Sequence, residues 1–216
     1  YAFTNVKIHI DYQTVIENGT LLIKDGMIIQ VGEKVTIPAG TVVYDLKGKN
    51  IYPSLIDPFT SYGMPEVKRE PGNPSPQIDS KTKGAFNWNQ AIKPEFDAVR
   101  SFVADQKFAE EMRKLGFGTV QTFQRDGISR GTGACVTLGN GKENELVILD
   151  RSANNLSFEK GASGQEYPSS LMGSIALLHQ TYLDAQWYKE NKGKTEYNIS
   201  LESWSANMIL PQIFET

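Results

Sequence analysis

Cysteine is almost missing from this chain. Cys135 stands alone, which excludes a disulfide framework and a cysteine zinc cluster, and a single thiol fits any compartment. Histidine is nearly as scarce, with His9 and His179 the whole supply. There is no basic excess either. The formal net charge is −3, the pI about 5.5, and no Lys/Arg run exceeds two residues, a balance that argues against a nucleic-acid surface. Apolar runs stop at about five residues, against roughly 20 for a membrane span. The chain begins at Tyr1 without a Met and shows no signal peptide or tag, as expected of a mature, trimmed or excerpted product.

What is present is ordinary globular material: 216 residues, 39% hydrophobic, enough for one large domain or two small ones. Residues 1–50 read as all-β. Phe3 to Ile10 alternates around Val6, Ile8 and Ile10, and Thr20–Lys24 and Met27–Val31 flank Asp25-Gly26, a strong hairpin signal. Pro38-Ala39-Gly40 breaks the chain before a further strand at Thr41–Leu46. Short half-buried strands of this kind predict a small β-sandwich. Ile51–Asp57 is compact and apolar, as expected of a strand covered on both faces. A polar stretch with five prolines follows from Met64 to Pro94, predicting a long loop at about 64–95.

Further on, Asp105 and Gly116 predict the N-cap and the C-terminal stop of a helix of about ten residues, with Phe108, Ala109, Met112 and Leu115 on one face. Phe117–Phe123 then reads as a buried strand, and helix, glycine, strand is half of a βαβ repeat. Ala134–Leu138 and Glu145–Leu149 flank Asn140-Gly141-Lys142 and predict a β-hairpin insertion at about 134–149. Pro168 is expected to open the longest helix, to about Asn191, with Leu171, Ile175, Leu178 and Tyr182 as its apolar stripe. A short helix near Leu201–Met208 and a strand at Gln212–Glu215 finish the chain.

The segments FTNVKIHI, NGTLLIKDGMIIQVGE, YDLKGKNIYPSLID and FAEEMRKLGFGTVQT together resemble the start of an amidohydrolase-superfamily protein. IKPEFDAV is similar to its imidazolonepropionase-like and dihydroorotase-like branches. DGISRGTGACVTL and YPSSLMGSIALLHQTYLDAQWY look like a narrower group, large exported amidohydrolase-related proteins of Bacteroidetes with a second amidohydrolase region downstream. The resemblance implies α/β architecture: a small β-sandwich over residues 1–50, then the first part of a (β/α)8 barrel over 51–216, incomplete in this chain. A whole barrel takes roughly 250 residues. Open barrel edges need cover, so the expected partner is the remainder of a longer polypeptide, or self-association. The resemblance also implies a periplasmic or exported location.

In active members of that family the first barrel strand ends Pro-Gly-Leu-Ile-Asp-x-His-x-His. Two histidines two residues apart on a strand lie on one face and reach one metal. Pro53, Leu55, Ile56 and Asp57 match that pattern, but Phe59 and Ser61 stand at the ligand positions. Phe59 has no lone pair, and Ser61 offers a neutral hydroxyl, a poor ligand beside imidazole or carboxylate. Without a bound cation nothing lowers the pKa of water toward about 7, and the hydrolytic nucleophile is lost. No metal or other cofactor is therefore expected in this chain; zinc or another divalent metal belongs only to a competent downstream domain. His9 and His179 read as ordinary packing or interface residues.

Asp57, Ser61, Asp126 and Arg130 are the candidate pocket-lining residues. Asp126, Arg130 and Thr132 follow the second barrel-like strand, where barrel enzymes place their site loops. Asp126 and Arg130 could bind an anionic small molecule, although a solvated pair is the plainer reading. Gly193-Lys194-Thr195 imitates a phosphate-binding loop, but Tyr188 stands where the motif needs glycine. Trp88, Trp187 and Trp204 show no platform pattern and read as packing residues. Asn18, Asn155 and Asn198 begin chance glycosylation acceptors. Three functional readings follow: an amidohydrolase-related region not catalytic alone, a working C–N hydrolase with its competent site downstream, or a non-enzymatic binding or structural module.

Overall fold

The first strand, β1 (Ala2–His9), buries Ala2, Val6 and Ile8 on one face, while Ile10 lies beyond it and is exposed. β2 (Val15–Lys24) pairs antiparallel with β1 and then with β3 (Met27–Gly32). The hairpin between β2 and β3 closes through Asp25 and Gly26 at φ 50° and 77°, the left-handed pair that a tight two-residue turn demands. The computed structural model describes residues 1–69, 75–76 and 82–215, which divide into the units Tyr1–Ser54 and Leu55–Thr216.

In the first unit, β4 (Val43–Asp45) and β5 (Asn50–Ile51) both run parallel to β1, so its strands form one sheet ordered β3-β2-β1-β4 with β5 beside β1. The expected sandwich therefore departs from observation: among the described residues this unit has a single layer. Its core is small, Val6, Ile8 and Leu21 with Phe3, Ile16, Ile23, Leu46 and Ile51 around them. Met27, Ile28, Val43 and Tyr44 stay exposed. His9 stacks on Tyr52 at 4.2 Å and hydrogen-bonds Asn50 Oδ1 at 3.1 Å, an ordinary packing role.

The expected strand Ile51–Asp57 is broken. Pro53 has no N–H to donate and restricts Tyr52, so pairing stops after β5 and resumes at β6 (Leu55–Thr60). Nor is the strand covered on both faces, since Leu55 and Ile56 are 55% and 63% exposed. Among the described residues β6 pairs only with β7 (Phe117–Thr122), in parallel. The crossover holds α1 (Ala98–Ser101), a turn not foreseen and capped by Asp97, and α2 (Gln106–Lys114). Asp105 caps α2 by accepting from the N–H groups of Lys107 and Phe108, and the helix stops before Gly116 as expected.

After β7 only six residues intervene before the next strand, too few for a crossover helix, so the chain must return antiparallel. It does so through β8 (Ser129–Thr132) and β9 (Ala134–Thr137), joined at Gly133. β9 pairs antiparallel with β7. On its other side lies β10 (Val147–Leu149), reached through the short helix α3 (Glu143–Leu146), so Glu145 and Leu146 are helical rather than strand. β11 (Asn154–Ser157) continues the same ladder along β8. Gly133 bridges the two halves: its N–H donates to Ala153 O and its carbonyl accepts from Ser152 N–H, both at 2.9 Å. The predicted hairpin at 134–149 is thus the upper part of a ladder over 129–157.

From β11 the chain runs through α4 (Leu171–Glu190) and α5 (Ile199–Asn207) to β12 (Gln212–Glu215), parallel to β11. α4 starts at the N-cap Ser170, past Pro168, and buries Ser174, Leu177, Leu178, Thr181, Ala185 and Tyr188. Of the predicted stripe, Leu178 and Tyr182 pack in the core, whereas Leu171 and Ile175 are exposed; His179 is exposed. Two cores result. One packs α1 and α2 on β7 and β9 around Val120, Val136 and Phe102; the other packs α4 and α5 on β8 and β11 around Ile128, Leu156 and the fully buried Trp204.

The loop expected at about 64–95 lies partly outside the described residues. Its described end is firmly packed. Asn89, Ala91 and Ile92 are buried, and Ile92 bridges Ser129 of β8.

Candidate functional site

Parallel strands β6, β7, β11 and β12 all end on loops or residues that carry charge, the side where α/β folds bind ligands. Within β6, Asp57 is half-buried and its Oδ1 accepts the N–H of Phe59 at 3.0 Å, so this carboxylate is used locally where the pairing with β7 becomes irregular. Thr60 O accepts from Phe123 N–H at 3.1 Å, and Thr122 Oγ1 donates to Tyr62 O at 2.6 Å, which ties the ends of β6 and β7 together. Ser61 is exposed, and its carbonyl accepts the N–H of Met64 at 3.0 Å.

Phe59 is held by two contacts. Phe123 meets it edge-on with centroids 5.1 Å apart, and the guanidinium of Arg125 lies over its ring, 4.7 Å from the centroid. A cation over a ring face is attracted to the ring quadrupole by about 0.5–1 kcal/mol at exposed sites. Arg125 is fixed in turn by Glu215 at the end of β12, whose Oε1 takes Arg125 Nη2 while its Oε2 takes Arg130 Nη1. Arg130 is buried, and its Nε also donates to Gly127 O at 3.0 Å. Burial alone would raise the Glu215 pKa; hydrogen bonds and charge from Arg130 and Arg125 together outweigh it and hold the carboxyl below the ordinary glutamate value.

Asp126 and Arg130, expected as a solvated pair, are both buried and point to different partners. Asp126 Oδ2 pairs with Lys93 Nζ, and its Oδ1 accepts from Ala162 N–H at 2.6 Å. Gly161 lies so close that a Cβ there would stand 2.2 Å from Asp126 Oδ1, at φ +62° besides, so only glycine lets the 159–164 loop seat on this carboxylate. Lys93 and Asp126 lie on the wall of a cleft of about 1280 Å³, along with Glu95, Gln124, Lys160 and Ser170. Glu95 is half-buried, and desolvation raises its pKa although the Ser200 hydroxyl donates to it at 2.7 Å.

The predicted site residues thus fall into separate surroundings. Asp57 binds its own strand backbone, Ser61 is exposed, Asp126 lines the cleft, and Arg130 joins the Phe59–Arg125–Glu215 group. Sequence reasoning missed Arg125, Glu215, Lys93 and Glu95. Arg125 and Glu215 carried a usable signal, one in the loop after a parallel strand and the other at the end of one; Lys93 and Glu95 lie in the IKPEFDAV segment, but nothing in its spacing singled them out.

Do these residues fit the divalent metal that the resemblance implies? They do not. Phe59 supplies no donor, and one ring face is occupied by a guanidinium. The Arg125 charge would repel a divalent ion placed there, with Glu215 offsetting part of it. Among the described residues no group of three or more His, Cys, Asp and Glu is placed to hold a metal ion.

A small β unit followed by helix-linked parallel strand pairs is an amidohydrolase-like fold. The chain is similar over its whole length to the crystal structure of an amidohydrolase from Thermotoga maritima MSB8, with TM-score 0.74 and 18% sequence identity. It spans 57% of that protein's length. No protein-family model and no curated protein sequence matches the chain.

Proposed function

We propose that this chain is the N-terminal region of an amidohydrolase-related protein, that it holds no metal at the ends of β6 and β7, and that it is not catalytic alone. Its role is to bind a small molecule or support a competent domain elsewhere. The single observation behind this reading is Phe59, donorless and covered by the Arg125 guanidinium where the resembling family keeps a metal-binding imidazole. The parallel pairs β6–β7 and β11–β12, each with helices in its crossover, support reading the second unit as the opening part of a barrel. The edge position of β6 among the described strands, with Leu55 and Ile56 exposed on it, supports an edge that further chain, or a second copy, covers. An exported location belongs to the same proposal and rests on the resemblance.

Elemental analysis of the purified chain, incubated with zinc and then dialysed against zinc-free buffer, tests the reading together with a C–N hydrolysis assay. The expected result is well below about 0.1 zinc per chain and no turnover, since structural zinc sites bind tightly enough to survive dialysis. Zinc near one equivalent, or zinc-dependent hydrolysis, would overturn it.

A further inference from the structure

The geometry points to Arg125 as an anion-receiving residue at the ends of β6, β7 and β12, taking the carboxylate or phosphate group of a small molecule. Two guanidinium groups share one carboxylate there, so the group Arg125–Glu215–Arg130 carries one net positive charge. Arg130 is buried and already serves Glu215 and the Gly127 carbonyl. Arg125 is the accessible member, with its side chain 48% exposed. Of its five N–H donors, one has a hydrogen-bond acceptor among the described residues, the Glu215 carboxylate.

That fork is aimed in advance. Phe59 supports its plane from one side, Phe123 braces Phe59, and Glu215 fixes one Nη. A guanidinium held in place loses little rotamer freedom on meeting an oxyanion, and its paired N–H groups match carboxylate and phosphate geometry. A free surface arginine would have to order itself first. The same charge repels a divalent cation, so anion binding and metal exclusion are two results of one residue. This inference rests on the metal-free reading of the site.

The test titrates the chain with inorganic phosphate and, separately, with acetate, following arginine side-chain Nε–H signals by NMR. The Arg125 signal is expected to move saturably with at least one of the two anions, and the relative response distinguishes a phosphate from a carboxylate site. Arg125→Gln is expected to weaken that binding about tenfold or more, and Arg125→Lys, which keeps the charge and loses the fork, by less. No saturable movement in the wild type, or unchanged affinity in Arg125→Gln, overturns the assignment. Should Arg125→Gln fail to fold by circular dichroism, the wild-type titration and Arg125→Lys still decide. A zinc arm compares F59H/S61H with F59H/S61H/R125Q. Uptake by the triple variant alone supports the exclusion, and equal uptake by both overturns it. Zinc bound by the wild type would sink the metal-free reading itself, whereas a metal-free wild type with no saturable anion response sinks only the anion site.

Discussion

Glu95 and Glu215 are two half-buried carboxyl groups in one unit, and their acidities move in opposite directions. Both lose water on folding, which favours the neutral acid. Glu215 meets two arginines, and their hydrogen bonds and charge overcome that loss. Glu95 meets the Ser200 hydroxyl and the more distant charge of Lys93, whose ammonium is already paired with Asp126, and burial prevails. Desolvation is therefore common to the sheet end and the cleft wall, and the committed charge of the neighbours decides the outcome. One region favours the carboxylate form of its glutamate; the other disfavours it relative to water.

The largest break in this contrast is expected from Glu215→Gln. It leaves buried Arg130 beside Arg125 without a counter-charge, and removing one partner of a buried pair is destabilising by about 3 kcal/mol. Denaturant unfolding at neutral pH would read this loss. In the wild type, the stabilisation from Glu215 is full above the ordinary glutamate value of about 4.3 and is lost as pH falls through its lowered folded value. Glu215→Gln should show a shallower acid limb. Ser200→Ala removes the hydroxyl that Glu95 accepts from, and the expected loss is about 1 kcal/mol. Arg125→Gln is expected to remove at most about 1 kcal/mol of stability, because this ion pair is half-exposed. Its main effect belongs to ligand affinity.

Glu95→Gln is the smallest change below the ordinary glutamate range, under about 0.5 kcal/mol. The sign at higher pH is informative. A carboxyl whose folded pKa is raised contributes most below its unfolded value, and that contribution is lost as pH rises through the folded value. Wild-type stability should therefore carry a declining component across that window, and Glu95→Gln should flatten it. An unchanged slope would show that Glu95 titrates as an ordinary surface glutamate.

Local chemistry made much of the fold legible. Asp25-Gly26 named its turn, Asp105 and Gly116 bounded α2, and Gln212–Glu215 gave the last strand, because each signal acts within a few residues. The failures share a different cause. Arg125 and Glu215 are 90 residues apart in sequence, and Lys93 and Asp126 are 33 apart, so no spacing rule connects them. The first half of the α4 stripe, Leu171 and Ile175, was misplaced, unlike Leu178 and Tyr182, because the helix carries apolar residues on both sides, with Met172 and Trp187 exposed and Leu177 and Leu178 buried. Only the packed sheet selects between two such faces. At the site, Phe59 and Ser61 revealed which donors were missing, but nothing local disclosed the cation lying on the ring.

The ladder through Gly133 also sets how the second unit comes apart. One continuous segment, 129–137, supplies paired backbone to β7 and β10 with its later half and to β11 with its earlier half. Peeling either half away strips partners from strands on both sides, so the two helix-covered cores are expected to melt as one cooperative element. Amide protons of Val136 and Thr132, on opposite sides of Gly133, should then exchange with the same opening free energy.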